Sequence, residues 1–197
     1  MAEHSSIEWT EATWNPVTGC TRVSPGCDNC YAERLAEGRL KHLYPDGFGK
    51  VTCHEDRLDK PLHWRKPRRV FVNSMSDLFH PDVPDDFIAS VFTTMANSPQ
   101  HTFQVLTKRP QRMQRMLDNG WCWGCGTVVD DCTCDDQCLV THFTEQDTPL
   151  PNVWLGVSVE NPQYADLRIP HLLATPAAVR FVSAEPLLGP IDLQIGR

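Results

Sequence analysis

No stretch of this 197-residue chain is apolar for long enough to cross a bilayer; its longest apolar runs, such as Val153-Trp154-Leu155-Gly156-Val157, are strand-sized. The first residues, Met1-Ala2-Glu3-His4-Ser5-Ser6, lack the basic and apolar regions of a secretory leader. Both absences point to a chain that stays in the cytoplasm, with no membrane partner, where thiols remain reduced. Positive charge is not in excess either: the formal net charge is −7, which excludes a broadly basic nucleic-acid coat but not a local patch. No internal repeat is evident. At 41% hydrophobic and 22% charged residues, the composition fits one globular domain with a full core.

Cysteine is what the chain does have, nine of them. In a reducing compartment they read as metal ligands rather than disulfides. Cys20, Cys27 and Cys30 form a tight N-terminal trio. Three thiolates can hold an iron–sulfur cluster and leave one iron open to a small molecule; four ligands would close the site. Three readings stand side by side: an iron–sulfur cluster, a zinc ion completed by Cys53 or His54, and plain buried thiols. A second group, Cys122, Cys125, Cys132, Cys134 and Cys138, with His142 nearby, has the paired spacing of a small zinc knuckle. A segment with so little apolar mass needs a metal to be ordered; the alternative is a flexible acidic loop with spare thiols.

Apolar β-type runs alternate with helical segments. Arg69–Asn73, Thr102–Thr107, Val153–Val159 and Ala178–Ser183 read as strands. Helices are expected after Pro84, Pro110 and Asn161-Pro162, and over Tyr31–Leu43. Thr13–Thr18 is the candidate first strand, and Lys50–Cys53 a further short one. The count is about six βα units, which argues for an α/β fold with a parallel sheet. Closed eight-unit barrels need about 250 residues, so the expectation is a partial TIM-like (β/α)6 barrel, with a doubly wound sheet as the competitor. Residues 1–120 and 151–197 would form the core and 121–150 a Cys-rich insertion.

In parallel α/β sheets, chemistry gathers where strands end. Asn73-Ser74-Met75-Ser76-Asp77, Thr107-Lys108-Arg109, Ser158-Val159-Glu160-Asn161 and Ser183-Ala184-Glu185-Pro186 each follow an expected strand. Ser and Asn in these places also suit helix capping, and Glu185 before Pro186 suits a turn. Away from them, Trp64-Arg65-Lys66-Pro67-Arg68-Arg69 is the densest basic run. It reads either as a solvated loop or as a phosphate-contacting edge.

Taken together, Trp14-Asn15-Pro16-Val17-Thr18-Gly19-Cys20, Cys27-Asp28-Asn29-Cys30-Tyr31-Ala32, the run from Phe71 to His80, Leu106-Thr107-Lys108-Arg109-Pro110 and Ser183-Ala184-Glu185-Pro186-Leu187-Leu188-Gly189-Pro190 resemble the phage and prophage three-Cys-motif family (the phage gp thirty-seven/sixty-eight family). That family is similar to radical S-adenosylmethionine proteins, which carry a partial six-unit βα barrel. The resemblance implies that Cys20, Cys27 and Cys30 ligate a 4Fe–4S cluster whose fourth iron chelates S-adenosylmethionine. It further implies that one electron cleaves the sulfonium and that a 5′-deoxyadenosyl radical takes a hydrogen atom from the substrate. Ser74, Ser76, Asp77 and Asn161 would contact the cofactor. Lys108, Glu160 and Glu185 would be catalytic, with Arg109 beside Lys108 meeting a carboxylate or phosphate. The implied substrate is a nucleotide, nucleic acid or peptide, with a partner protein in play, in the host bacterial cytoplasm if the chain is phage-encoded. Set against the usual radical pattern, the gap between Cys20 and Cys27 is wider, no Gly-Gly-Glu follows the second strand, and the chain stops at Gly196-Arg197, soon after the last strand. The alternatives are a non-catalytic, zinc-stabilised nucleic-acid-binding module and an iron–sulfur regulatory protein.

Overall fold

A computed structural model describes residues 5, 7–118, 121–122, 127–128 and 149–193. Its centre is a five-stranded sheet of β1 (Ala12–Trp14), β4 (Arg69–Val72), β5 (Thr102–Thr107), β8 (Val153–Ser158) and β9 (Val179–Ser183). Every pairing is parallel, and the strands lie side by side in chain order. A doubly wound sheet reverses its order at a switch point, and this one does not. β1 and β9 are its two edges, so the described sheet is open.

Each crossover carries a helix: α1 (Tyr31–Glu37) between β1 and β4, then α2 (Asp85–Ala96), α3 (Pro110–Asp118) and α4 (Pro162–Ala174) before β5, β8 and β9. Proline opens three of them as expected, since its missing N–H is unneeded in the first helical turn and its φ is already set. In α2, Asp85 and Asp86 occupy the first turn, where the helix dipole favours anions, and Phe87, Ile88, Val91, Phe92 and Met95 are buried.

Strand alternation sorts the core. Val70, Val72, Phe103, Val105, Val153, Leu155 and Val157 join Trp14 and α2 residues in one buried apolar cluster. The intervening residues put Phe71, Gln104 and Trp154 in one register row and Leu106, Gly156 and Phe181 in another, on the opposite face. Gly156 is needed in that second row, because a Cβ there would stand 2.5 Å from the Phe181 ring.

Three sequence expectations change. The six expected units become five sheet strands, because the segment around Thr52–Cys53 is only a two-residue strand, β3, paired antiparallel with β2 (Val17–Thr18) outside the main sheet. The helix expected over Tyr31–Leu43 stops at Glu37, with Gly38 as its C-cap, and Lys41–Leu43 forms a separate 3-10 turn. Thr13–Thr18 divides between β1 and β2. In α4, Leu167 and Leu173 are exposed, and the buried face carries Ala165, Arg168 and Leu172. Within the insertion, Trp121–Cys122 (β6) pairs antiparallel with Thr127–Val128 (β7). Cys125, Cys132, Cys134, Cys138 and His142 lie outside the described residues, and Cys122 is placed only by its backbone. Among the described residues no helix is long and apolar enough to cross a membrane.

Candidate functional site

The parallel strands all end on one rim, and Cys20, Cys27 and Cys30 are there. Gly19 starts the cysteine loop at φ 87, with its N–H on the Met75 carbonyl at 3.0 Å and a bridge to Ser76. Any side chain at this position would collide with the Lys50 carbonyl, 2.0 Å from an ideal Cβ. Cys20 then binds through its N–H to Phe48 O at 2.9 Å. Pro25–Cys27 makes a 3-10 turn, and Cys30 caps α1. Cys20, Cys27 and Cys30 are free thiols lining one pocket of about 130 Å3 together with Asn73, Ser74, Ser76, Asp77, Lys108 and Arg109.

This pocket shares Cys30, Tyr31, Phe71, Leu106, Lys108 and Ser158 with a cavity of about 420 Å3. The strand residues Phe71, Leu106, Ser158 and Ser183 line that cavity, so it sits over the C-terminal ends of β4, β5, β8 and β9. Trp9 packs tilted against Phe71, with centroids 4.7 Å apart, along one wall. Lys108 and Glu185 supply one charge of each sign and are not ion-paired with each other. Lys108 has no side-chain partner among the described residues. A broader surface cleft of about 660 Å3 between Pro84 and Arg115 lies elsewhere; its Arg112 is bound to the His80 and Val83 carbonyls and to Asp85.

The carboxylate of Asp77 organises the rim. Its Oδ1 accepts from Thr107 Oγ1 at 2.7 Å and from the Phe79 N–H at 3.0 Å. Its Oδ2 accepts from the Lys108 N–H at 3.0 Å and from Arg109 Nη1 at 3.1 Å. Arg109 continues into the cysteine loop, donating from Nη2 to Thr21 O at 2.9 Å and placing Nη1 3.6 Å from Cys20 Sγ. His80 reaches the same loop. Its Nδ1 accepts the Asp82 N–H, which leaves Nε2–H to donate to Thr21 Oγ1 at 2.7 Å. Burial and then Arg109 hold this imidazole below its ordinary pKa, so it stays neutral. Burial, reinforced by Asp77 and opposed by Arg109, pushes the Cys20 thiol up to about 11. Without a metal Cys20 is therefore a protonated thiol and a poor nucleophile. A metal would displace that proton.

The expected site residues have these placements. Asp77 and Arg109 hold each other and the loops, and both line the thiol pocket. Ser74 Oγ accepts from Asn15 Nδ2 at 3.1 Å, and Ser76 Oγ donates to Val17 O at 2.9 Å, although both residues line the thiol pocket. Asn161 caps α4 by accepting the Tyr164 N–H at 3.1 Å and lines neither cavity. Glu160 is fully buried and bound through Oε2 to Arg168 Nη1 at 2.8 Å. Its carboxylate underlies the cysteine loop, where a Cβ on Gly26 would come within 2.9 Å of Glu160 Cδ. It therefore seats the loop rather than facing the cavity. Lys108 and Glu185 remain as charged side chains that do face it. Tyr31 joins them on both cavity walls: its hydroxyl donates to the Ser74 carbonyl at 2.5 Å, and burial, then the charges of Cys30 and Glu185, raise its pKa.

The chain belongs to the DUF5131 family. A family model described as "Protein of unknown function (DUF5131)" matches residues 4–196. No curated protein and no solved structure matches the chain. Tetrahedral zinc at bonds of about 2.3 Å would draw its sulfurs to about 3.8 Å of one another. Among the described residues, no three His, Cys, Asp or Glu side chains are grouped so as to hold one metal ion. His54 binds Thr18 Oγ1 at 2.7 Å and Cys53 pairs with Val17. Among the described residues, neither expected fourth ligand for zinc therefore lines the thiol pocket. A cluster spreads its thiolates over separate irons and suits three sulfurs around one pocket. Sequence reasoning missed the loop-holding roles of His80 and Arg168; neither sits in a motif that signals its partner.

Proposed function

We propose that this protein is a radical S-adenosylmethionine-type iron–sulfur protein, built on a partial TIM-like βα barrel and akin to the phage three-Cys-motif family. In this reading it works in the cytoplasm, that of a host bacterium if the chain is phage-encoded. The observation that carries the reading is one of placement. Three thiols and, among the described residues, no free carboxylate or imidazole surround a pocket that opens into a larger cavity at the C-terminal rim of a sequentially wound parallel sheet. Cys20, Cys27 and Cys30 would hold a 4Fe–4S cluster, which when bound supplies an electron for cleaving a sulfonium.

The chain's own residues do the positioning. Arg109 donates toward Cys20 Sγ and fixes Thr21, which suits an electron-rich sulfur. Lys108 offers a cation to a carboxylate, Glu185 an anion to an ammonium group, and Trp9, Phe71 and Tyr31 provide flat apolar walls that exclude water. The substrate class is a nucleotide, nucleic acid or peptide small enough in its reacting part to enter this cavity.

The nucleic-acid-binding module is the weaker reading. The basic run leads into the start of β4, so it is separated from the rim by a strand length of about 13 Å. The decisive experiment is anaerobic: the reconstituted full chain is mixed with S-adenosylmethionine and dithionite. Release of methionine and 5′-deoxyadenosine supports the proposal. A colourless, zinc-loaded protein with no cleavage refutes it.

A further inference from the structure

We infer that Asn73 is the neutral hydrogen-bond donor of the thiol pocket, its Nδ2–H serving a sulfur of the group held between Cys20, Cys27 and Cys30. The inference rests on the cluster reading above and adds a residue to it. Asn73 directly follows β4, is 2% exposed, and lines the same pocket as the three cysteines. Its other polar groups are satisfied. The backbone N–H donates to Trp14 O at 2.7 Å, the carbonyl accepts from the Ser76 N–H at 3.3 Å, and Oδ1 accepts from the Val17 N–H at 3.3 Å. That last bond fixes the amide orientation, because a flipped amide would set two donors against each other.

Nδ2 alone has no partner. Buried donors are almost always paired, so an unpaired one asks for an acceptor. The other buried unpartnered atoms among the described residues are Ser98 Oγ, His101 Nδ1, Gln104 Oε1 and Glu160 Oε1, and none of their residues lines the thiol pocket. The backbone is also committed to this placement. Asn73 sits at φ 60, a left-handed conformation that few side chains tolerate and that Asn tolerates best. Sulfurs of an iron–sulfur cluster are electron-rich acceptors, and hydrogen bonds to them help set its potential.

Asn73→Asp and Asn73→Gly test this on the full chain. Asp keeps an oxygen for the Val17 N–H and accepts the left-handed backbone, but it turns the donor into a buried anion. Gly accepts the backbone freely and removes the donor without adding charge. Each variant is reconstituted anaerobically with ferrous iron and sulfide beside the wild type. Three things are read: melting of the metal-free form, loss of iron to a chelator, and the midpoint potential by electron paramagnetic resonance titration. The expected result is a metal-free Asp variant that still folds but melts below wild type because it buries an anion, loses iron about tenfold faster, the factor carried by one charge-assisted hydrogen bond, and titrates at a more negative potential. The Gly variant should fall between the two. If the Asp variant fails to fold, the Gly variant decides alone. Wild-type retention and potential in the folded variants would overturn the role of Asn73 and leave the cluster reading standing. A wild type that takes up neither iron nor sulfide would overturn both.

Discussion

The two ends of the parallel sheet are built from different materials. At the N-terminal end most polar side chains are satisfied inside the protein, with Ser98 Oγ and His101 Nδ1 left unpartnered among the described residues. Thr10 Oγ1 donates to the Ala12 and Arg69 carbonyls, and Asn152 Nδ2 to those of Met95 and Ser98. His101 lies edge-on to Trp64 and Phe103 with Nε2 on the Pro61 carbonyl. The C-terminal end keeps three free thiols, an unpaired lysine, an unpartnered amide and two joined cavities. One end closes the fold; the other retains the groups that a ligand would satisfy. This is the division of labour expected of parallel βα architectures.

Substitutions on the two rims should therefore separate. The largest effect is expected from Asp77→Ala, which strands the nearly buried Arg109 and frees the Thr107–Arg109 segment. It should cost about 3–5 kcal/mol, a fall in Tm of roughly 10 °C, and should also impair iron uptake. Calorimetry with iron analysis checks both, and an unchanged Tm would break the claim that Asp77 is the hub. Next comes Asn152→Ala on the opposite rim, at about 1–2 kcal/mol for two lost hydrogen bonds. Iron loading should be untouched; coupled loss of stability and iron would erase the contrast between the rims.

A smaller effect concerns acid. Burial lowers the pKa of His101 below its ordinary 6.5, against the pull of the Pro61 carbonyl. The unfolded chain therefore takes up that proton first as pH falls. Stability from this group is present above pH 6.5 and is lost as pH drops below it. His54 and His80 share the direction. Melting curves between neutral and mildly acid pH should show a falling Tm, and His101→Gln should flatten that slope in part; an unaltered slope would count against it. Smallest of all for stability is Lys108→Ala, within about 0.5 kcal/mol because its side chain has no partner to lose. S-adenosylmethionine cleavage should nonetheless weaken, a split that a merely structural lysine would not produce.

How much of this could be read along the chain follows from the same physics. Buried parallel strands announce themselves as apolar runs, so Arg69–Val72, Thr102–Thr107 and Val153–Ser158 were legible, and the rim followed from where they end. Pro84, Pro110 and Pro162 marked helix starts by their fixed φ. Side-chain partnerships were not legible, since Asp77 and Arg109 stand 32 residues apart and nothing local pairs them. Glu160 looked catalytic by position, yet Arg168, two turns along α4, claims it. Asn161 followed its capping alternative, the ordinary fate of Asn before Pro at a helix start. Thr52–Cys53 carried strand residue types but had too few of them to enter the sheet.

The measurement that bears most directly on the account is metal and spectral analysis of the full chain purified and reconstituted without oxygen, beside its Cys27→Ser variant. The account predicts about four iron and four sulfide per chain with a broad band near roughly 400 nm, both lost in the variant while the metal-free protein still folds. A colourless wild type, or a Cys27→Ser protein that loads iron and sulfide as fully as wild type, would contradict it.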